Sequence, residues 1–81
     1  MTESQLHLFP AFRSLPVYDE GDARADSITS LVVTGAYRRL RECTKLQEVE
    51  DCLKDSRLVP LGALRAREDG GAVVAYFGEK L

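Results

Sequence analysis

The chain has 81 residues and a net charge of −2 at pH 7, with 44% hydrophobic and 30% charged residues. A chain of this length makes one domain at most, and a folded unit of this size buries only about 60% of the surface that its unfolded chain exposes. The composition is typical of a globular protein and excludes wholesale disorder. The net charge is too small to indicate a nucleic-acid or membrane partner by itself.

The absence of a long apolar run and of an export signal indicates the cellular compartment of the protein. The longest uncharged apolar runs, residues 31–37 and 72–78, are too short to span a bilayer. No charged stretch followed by an apolar one opens the chain, so we expect a cytoplasmic protein, with Cys43 and Cys52 as reduced thiols. Because His7 is the only histidine, we expect no metal site and no cofactor.

Residues 5–9 are the most distinctive stretch of the chain. They read Gln-Leu-His-Leu-Phe and are followed by Pro10. An extended peptide of this kind can place alternating apolar side chains in a hydrophobic groove, while one polar group fixes its register. A second interpretation is an ordinary N-terminal strand, with Leu6 and Leu8 facing a core and Pro10 ending it.

The same pentapeptide resembles the motif Gln-Leu-(Ser/Asp)-Leu-Phe, by which many bacterial replication and repair proteins bind the β sliding clamp. Four of the five positions match, and the histidine is the departure. The resemblance implies that Gln5 makes the polar contact and that Leu6 supports it. It also implies that Leu8 and Phe9 fill the hydrophobic subsite. It says nothing about the rest of the chain.

We expect residues 1–26 to form an extended N-terminal segment. The segment shows no helical periodicity and contains Pro10 and Pro16. From residue 17 to residue 26 it is rich in acidic residues, which is typical of a solvated tether. Residues 27–81 would then form a small α+β body.

Two helices are predicted at the start of this body. Apolar residues recur at three- and four-residue spacing from Ile28 to Cys43, although the β-branched run at residues 28–34 allows a strand there, followed by a helix from Ala36. A capping pattern at Thr44 and Gln47 predicts a break, and a second helix would run from Lys45 to about Asp55.

A β-hairpin is predicted at the C-terminal end. Residues 61–67 and 72–77 flank Glu-Asp-Gly-Gly, and Asp69-Gly70 suits a type I′ turn. With that turn, Leu64 and Ala66 would share the core face with Val73, Ala75 and Phe77. Arg65 and Arg67 would share the opposite face with Val74 and Tyr76. The order of two helices and then two strands is compatible with a winged-helix-like or other small α+β fold.

The sequence offers no catalytic constellation, so we expect no enzyme and no small-molecule substrate. No cysteine or serine has a histidine base in a predicted site. The carboxylates Glu48, Asp51 and Asp55 are interpreted as a solvated helix face.

Basic residues suggest a second kind of partner. Five of them could neutralise DNA phosphates, three at helical spacing between residues 38 and 45 and two on one face of the hairpin. These are Arg38, Arg41, Lys45, Arg65 and Arg67. The alternative is a pair of solvated faces balanced by Glu42 and Glu68.

These observations predict a bacterial, phage or plasmid accessory protein that binds the β sliding clamp and either recruits its body to replicating DNA or blocks other partners. The alternatives are a small DNA-binding regulator of winged-helix type, or an inhibitory or interaction subunit of an unrelated protein. No membrane partner is expected.

Overall fold

The computed structural model describes residues 1–66 and 72–81. Its helices and strands, in chain order, are α1 (Glu3–Leu6), α2 (Pro10–Arg13), β1 (Val17–Asp19), a 3₁₀ turn (Ala23–Ala25), α3 (Asp26–Val33), β2 (Leu40–Cys43), α4 (Leu46–Lys54), β3 (Leu58–Arg65) and β4 (Val73–Glu79). The predicted α+β class is confirmed, although the chain forms more helices and strands than the predicted two helices and a hairpin. No described helix has the length and apolar character needed to cross a membrane.

The four strands form one mixed sheet in the order β1-β3-β4-β2. β1 runs parallel to β3, and β4 is antiparallel to both of its neighbours. Short helices cover one face of the sheet, where the fully buried side chains meet. These are Leu6, Phe12, Val49 and Cys52 from the helices, with Cys43, Ala63, Val73, Ala75 and Phe77 from the strands. At its centre the rings of Phe12 and Phe77 pack edge to face, 5.5 Å apart.

The prediction of an extended N-terminal segment is wrong. Thr2 begins α1 with a capping box, because its Oγ1 accepts from the Gln5 N–H at 3.2 Å and the Gln5 side chain accepts from the Thr2 N–H at 2.9 Å. Pro10 occupies the first turn of α2, where a missing N–H costs nothing. Leu6 and Phe12 belong to the core, and β1 adds an edge strand to the sheet.

The helix predicted at the start of the body is confirmed in its first part and wrong in its second. Residues 28–33 are helical, as favoured over a strand, but the helix does not continue through residues 36–43. Gly35, with φ of +81°, ends α3 in a Schellman motif, in which its N–H donates to Val32 and the Ala36 N–H donates to Leu31. The apolar spacing beyond it belongs to β2, which pairs with β4 from Leu40 to Cys43.

The second helix is confirmed as α4, with its cap one residue later than predicted. The Glu48 carboxylate, rather than Gln47, reaches back and accepts hydrogen bonds from the N–H groups of Thr44 and Lys45 at 3.3 and 3.1 Å. It also accepts from the Thr44 hydroxyl at 3.1 Å. A carboxylate near a helix N-terminus is further stabilised by the helix dipole.

The two strands of the hairpin are confirmed, and their predicted register is wrong by one residue. Ala66 lies opposite Ala72, whereas a turn at Asp69 and Gly70 would place it opposite Val73. The predicted turn itself lies outside the described residues. Because side chains alternate along a strand, the slip exchanges the two faces of β3. Ala63 therefore takes the core position that Leu64 and Ala66 were expected to fill.

Candidate functional site

The four motif residues do not form one extended binding strip. Gln5 is exposed on α1, and its side chain is engaged in the capping box. Leu6 is 0% exposed, whereas Leu8 is 68% exposed. Phe9 is partly buried against the core and precedes α2. The interpretation of residues 5–9 as an N-terminal strand is wrong as well, because Leu6 is helical and points away from Leu8.

Few contacts hold this segment to the body. The Val73 N–H donates to the Met1 carbonyl at 2.7 Å, and Thr2 forms an isolated bridge with Ala72. The Glu3 carboxylate pairs with Arg65. Leu6 in the core, Met1 packed against the core and these polar contacts at the surface therefore hold residues 1–8 to the body.

The four predicted basic residues that the structure describes do not form one surface. Arg65 pairs with Glu3 and, at 2.5 Å, with Asp19, and these carboxylates raise its pKa. Lys45 caps α4 and is exposed. Arg67 lies outside the described residues. The helical spacing that linked Arg38, Arg41 and Lys45 is absent, because Arg41 is in a strand.

A different set of basic residues converges where β2 begins and β4 ends. We name this region the basic corner; its members are Arg38, Arg39, Arg41, Arg57 and Lys80, with the carboxylates Glu42, Asp55 and Glu79. Pairing of Leu40 with Gly78, and of Leu58 with Glu79, brings the strand ends together. The Lys80 N–H donates to the Arg57 carbonyl at 2.8 Å.

The basic corner contains a groove of about 380 Å³. It is lined by Arg39, Leu40, Arg41, Glu42, Asp55, Arg57, Leu58 and Glu79. Two of its arginines are held by carboxylates, since Arg39 Nε donates to Glu79 at 2.5 Å and Arg57 donates to Asp55 through Nε and a terminal nitrogen. Arg41 makes no ion pair among the residues that the structure describes. The sequence placed Arg38 and Arg41 together, with Arg39 beside them, but did not indicate Arg57 or Lys80, because sheet pairing rather than spacing brings these two residues to the same region.

The carboxylates of α4 have structural partners. Glu48 caps the helix, Asp51 accepts from Gln47 at 3.1 Å, and Asp55 binds Arg57 just beyond the helix end. Hydrogen bonds from Thr44 lower the pKa of Glu48, and those from Arg57 lower the pKa of Asp55. Both groups are therefore ionised at neutral pH, the opposite of what a general acid requires.

The two cysteines lie side by side in the core. Their Sγ atoms are 3.4 Å apart, and both side chains are buried free thiols. Burial, followed by the neighbouring thiol, raises the pKa of Cys43 to about 12. Because the thiolate is the reactive form, Cys43 is a poor nucleophile at neutral pH. Within residues 1–66 and 72–81, no group of three or more His, Cys, Asp or Glu is placed to hold a metal ion.

Comparisons with known proteins add no relative from which a function could be transferred. No family model, no curated protein and no solved structure matches the chain.

Proposed function

We propose that the chain is a non-enzymatic, cytoplasmic accessory protein that binds the bacterial β sliding clamp through residues 5–9. The observation that carries the proposal is the agreement of Gln5, Leu6, Leu8 and Phe9 with the clamp-binding motif. The exposure of Leu8 is compatible with it, since this side chain is accessible to a partner.

Binding in this account is coupled to release of residues 1–9 from the body. An extended peptide cannot form while α1 is folded, because Leu6 is then in the core and the Gln5 side chain caps the helix. Phe9 and Pro10 would form the hinge. Phe12 stays packed against Phe77 and keeps α2 in place.

The cost of release is small enough to leave measurable binding. Exposing Leu6 costs about 1.5–3 kcal/mol, and Met1 and Phe9, which pack against the core, add to this cost. Release therefore reduces affinity at least about tenfold relative to a free peptide. A four-residue helix adds little of its own, because helices this short are not stable in isolation.

A clamp-bound protein of this kind has two roles open to it. It either recruits its body to replicating DNA or occupies the groove that polymerases and repair proteins need. Clamp-dependent DNA synthesis in vitro distinguishes the roles, because only a blocker lowers the rate.

The proposal is tested by measuring binding to purified β clamp with Leu8→Ala and with Leu81→Ala. Both leucines are largely exposed, at 68% and 75%, and only Leu8 is in the motif. Truncating an apolar anchor at the centre of an interface commonly costs about 2 kcal/mol, so Leu8→Ala should weaken binding about thirtyfold. Leu81→Ala should bind like the unmodified protein. Absence of clamp binding, or equal losses in both variants, would exclude the proposal.

A further inference from the structure

We propose that the basic corner binds the phosphate backbone of duplex DNA. This site is separate from residues 5–9 and requires no clamp. Five basic and three acidic residues give the basic corner a net charge of +2, whereas the other six basic and ten acidic residues of the chain sum to −4. The overall charge of −2 therefore conceals a strongly uneven distribution.

Screening allows this local charge to act on a polyanion. At physiological ionic strength the Debye length is about 8 Å, and the molecule extends 34 × 29 × 19 Å. Acidic residues on the far side of the protein are several Debye lengths away from a ligand at the basic corner. A phosphate there responds mainly to the charges of the basic corner itself, in which the basic residues outnumber the carboxylates.

Ion pairs hold two arginine side chains of the basic corner in place and leave them accessible to a ligand. Arg39 and Arg57 remain 78% and 77% exposed while Glu79 and Asp55 hold them. A guanidinium has five N–H donors, and these ion pairs use one donor of Arg39 and two of Arg57. The remaining donors can bind phosphate oxygens in pairs, a geometry for which arginine is better suited than lysine.

The lining of the groove favours a duplex backbone over single-stranded bases. None of the groove residues is aromatic, so bases have no ring on which to stack. Contacts of arginine with phosphates alone are independent of sequence and strongly dependent on salt. The expected ligand is therefore duplex DNA of any sequence.

The experiment measures fluorescence anisotropy of a labelled 20-base-pair duplex with the full chain, in the absence of clamp, over a range of salt concentrations. With three phosphate contacts, the slope of log affinity against log salt should be about −3. Arg41→Gln combined with Arg57→Gln should reduce the magnitude of this slope by about 2 and weaken low-salt binding at least about tenfold.

Arg24→Gln is a matched control for Arg57→Gln. In each case the arginine follows an aspartate by two residues and donates to it through the backbone N–H, Nε and a terminal nitrogen. Arg24 follows β1, the edge strand opposite β2, and its substitution should leave the slope unchanged. Circular dichroism verifies that each variant is folded.

Four results would overturn the assignment. They are no binding at low salt, an equal effect of Arg24→Gln, tighter binding of single-stranded than of duplex DNA, and displacement of the duplex by polyglutamate at equal charge concentration. The last result would assign the basic corner to acidic proteins instead. None of them depends on clamp binding, so the two proposals can fail independently.

Discussion

Leu6 decides how the N-terminal motif can be used. In an extended peptide its side chain would lie on the same face as that of Leu8, but α1 turns Leu6 into the core and leaves Leu8 in solvent. The sequence indicates the chemistry of these residues without indicating their exposure. The capping box of Thr2 and Gln5 is itself readable from the sequence, and it would have predicted the helix.

Replacement of Gly62 should cost more stability than replacement of Gly35. It has φ of +146° beside a bulge in β3, and a Cβ there would lie 2.7 Å from the Pro16 carbonyl oxygen. Gly35 also has positive φ, but a Cβ there meets nothing within 4 Å. Gly35→Ala should therefore lower the free energy of unfolding by about 1 kcal/mol, from backbone strain alone. Gly62→Ala should lower it by at least about 2 kcal/mol, since overpacking adds to the strain. Urea unfolding compares the two, and equal losses would contradict the close approach of Pro16.

Cys43 predicts a loss of stability at alkaline pH. Below pH 9, its usual pKa, both folded and unfolded chains keep the thiol protonated, and stability is complete. Between pH 9 and about 12 the unfolded chain loses this proton while the folded one retains it, so stability falls as pH rises. One thiol contributes a limiting slope of about 1.4 kcal/mol per pH unit. Urea unfolding from pH 8 to 11 should show a shallower decline for Cys43→Ala than for the unmodified protein. The same decline in both would show that the thiol is not protected.

Locally encoded elements are the ones that the sequence predicts well. α4 and the two hairpin strands follow from apolar spacing within a few residues. β2 does not, because Leu40–Cys43 has the spacing of a helix and becomes a strand through pairing with residues 75–78, more than thirty positions away. β1 likewise depends on a parallel pairing with β3. The hairpin register depends on how residues 67–71 connect the strands, which a preference for a type I′ turn cannot determine alone.

Loosening α1 should increase clamp affinity if release of the segment is required. Thr2→Ala removes the helix cap at a cost of about 1 kcal/mol, which shifts residues 1–9 toward the released state. Clamp binding by the intact protein should then improve about fivefold. The same substitution in a peptide of residues 1–13 should have no effect, because the peptide has no body from which to be released. Unchanged or weaker binding of the intact Thr2→Ala protein would contradict a release step.

At the scale of the whole molecule, the N-terminal residues are part of the fold and part of the proposed function. Leu6, Phe12 and β1 complete the core and the sheet, so the chain is not a body with a free tail. The opposite edge of the sheet carries the basic corner. A protein bound to a clamp through one region could therefore meet the encircled DNA with the other. Neither the packing of the N-terminal residues nor the basic corner is visible in the sequence, since both depend on contacts between distant segments.

The clamp affinity of the intact protein, compared with that of a synthetic peptide of residues 1–13, tests the central claim most directly. Both contain the same motif, and only the intact protein must expose Leu6 before binding. The account predicts that both bind in the same groove and that the peptide binds at least about tenfold more tightly. Equal or tighter binding by the intact protein, or no binding by the peptide, would contradict it.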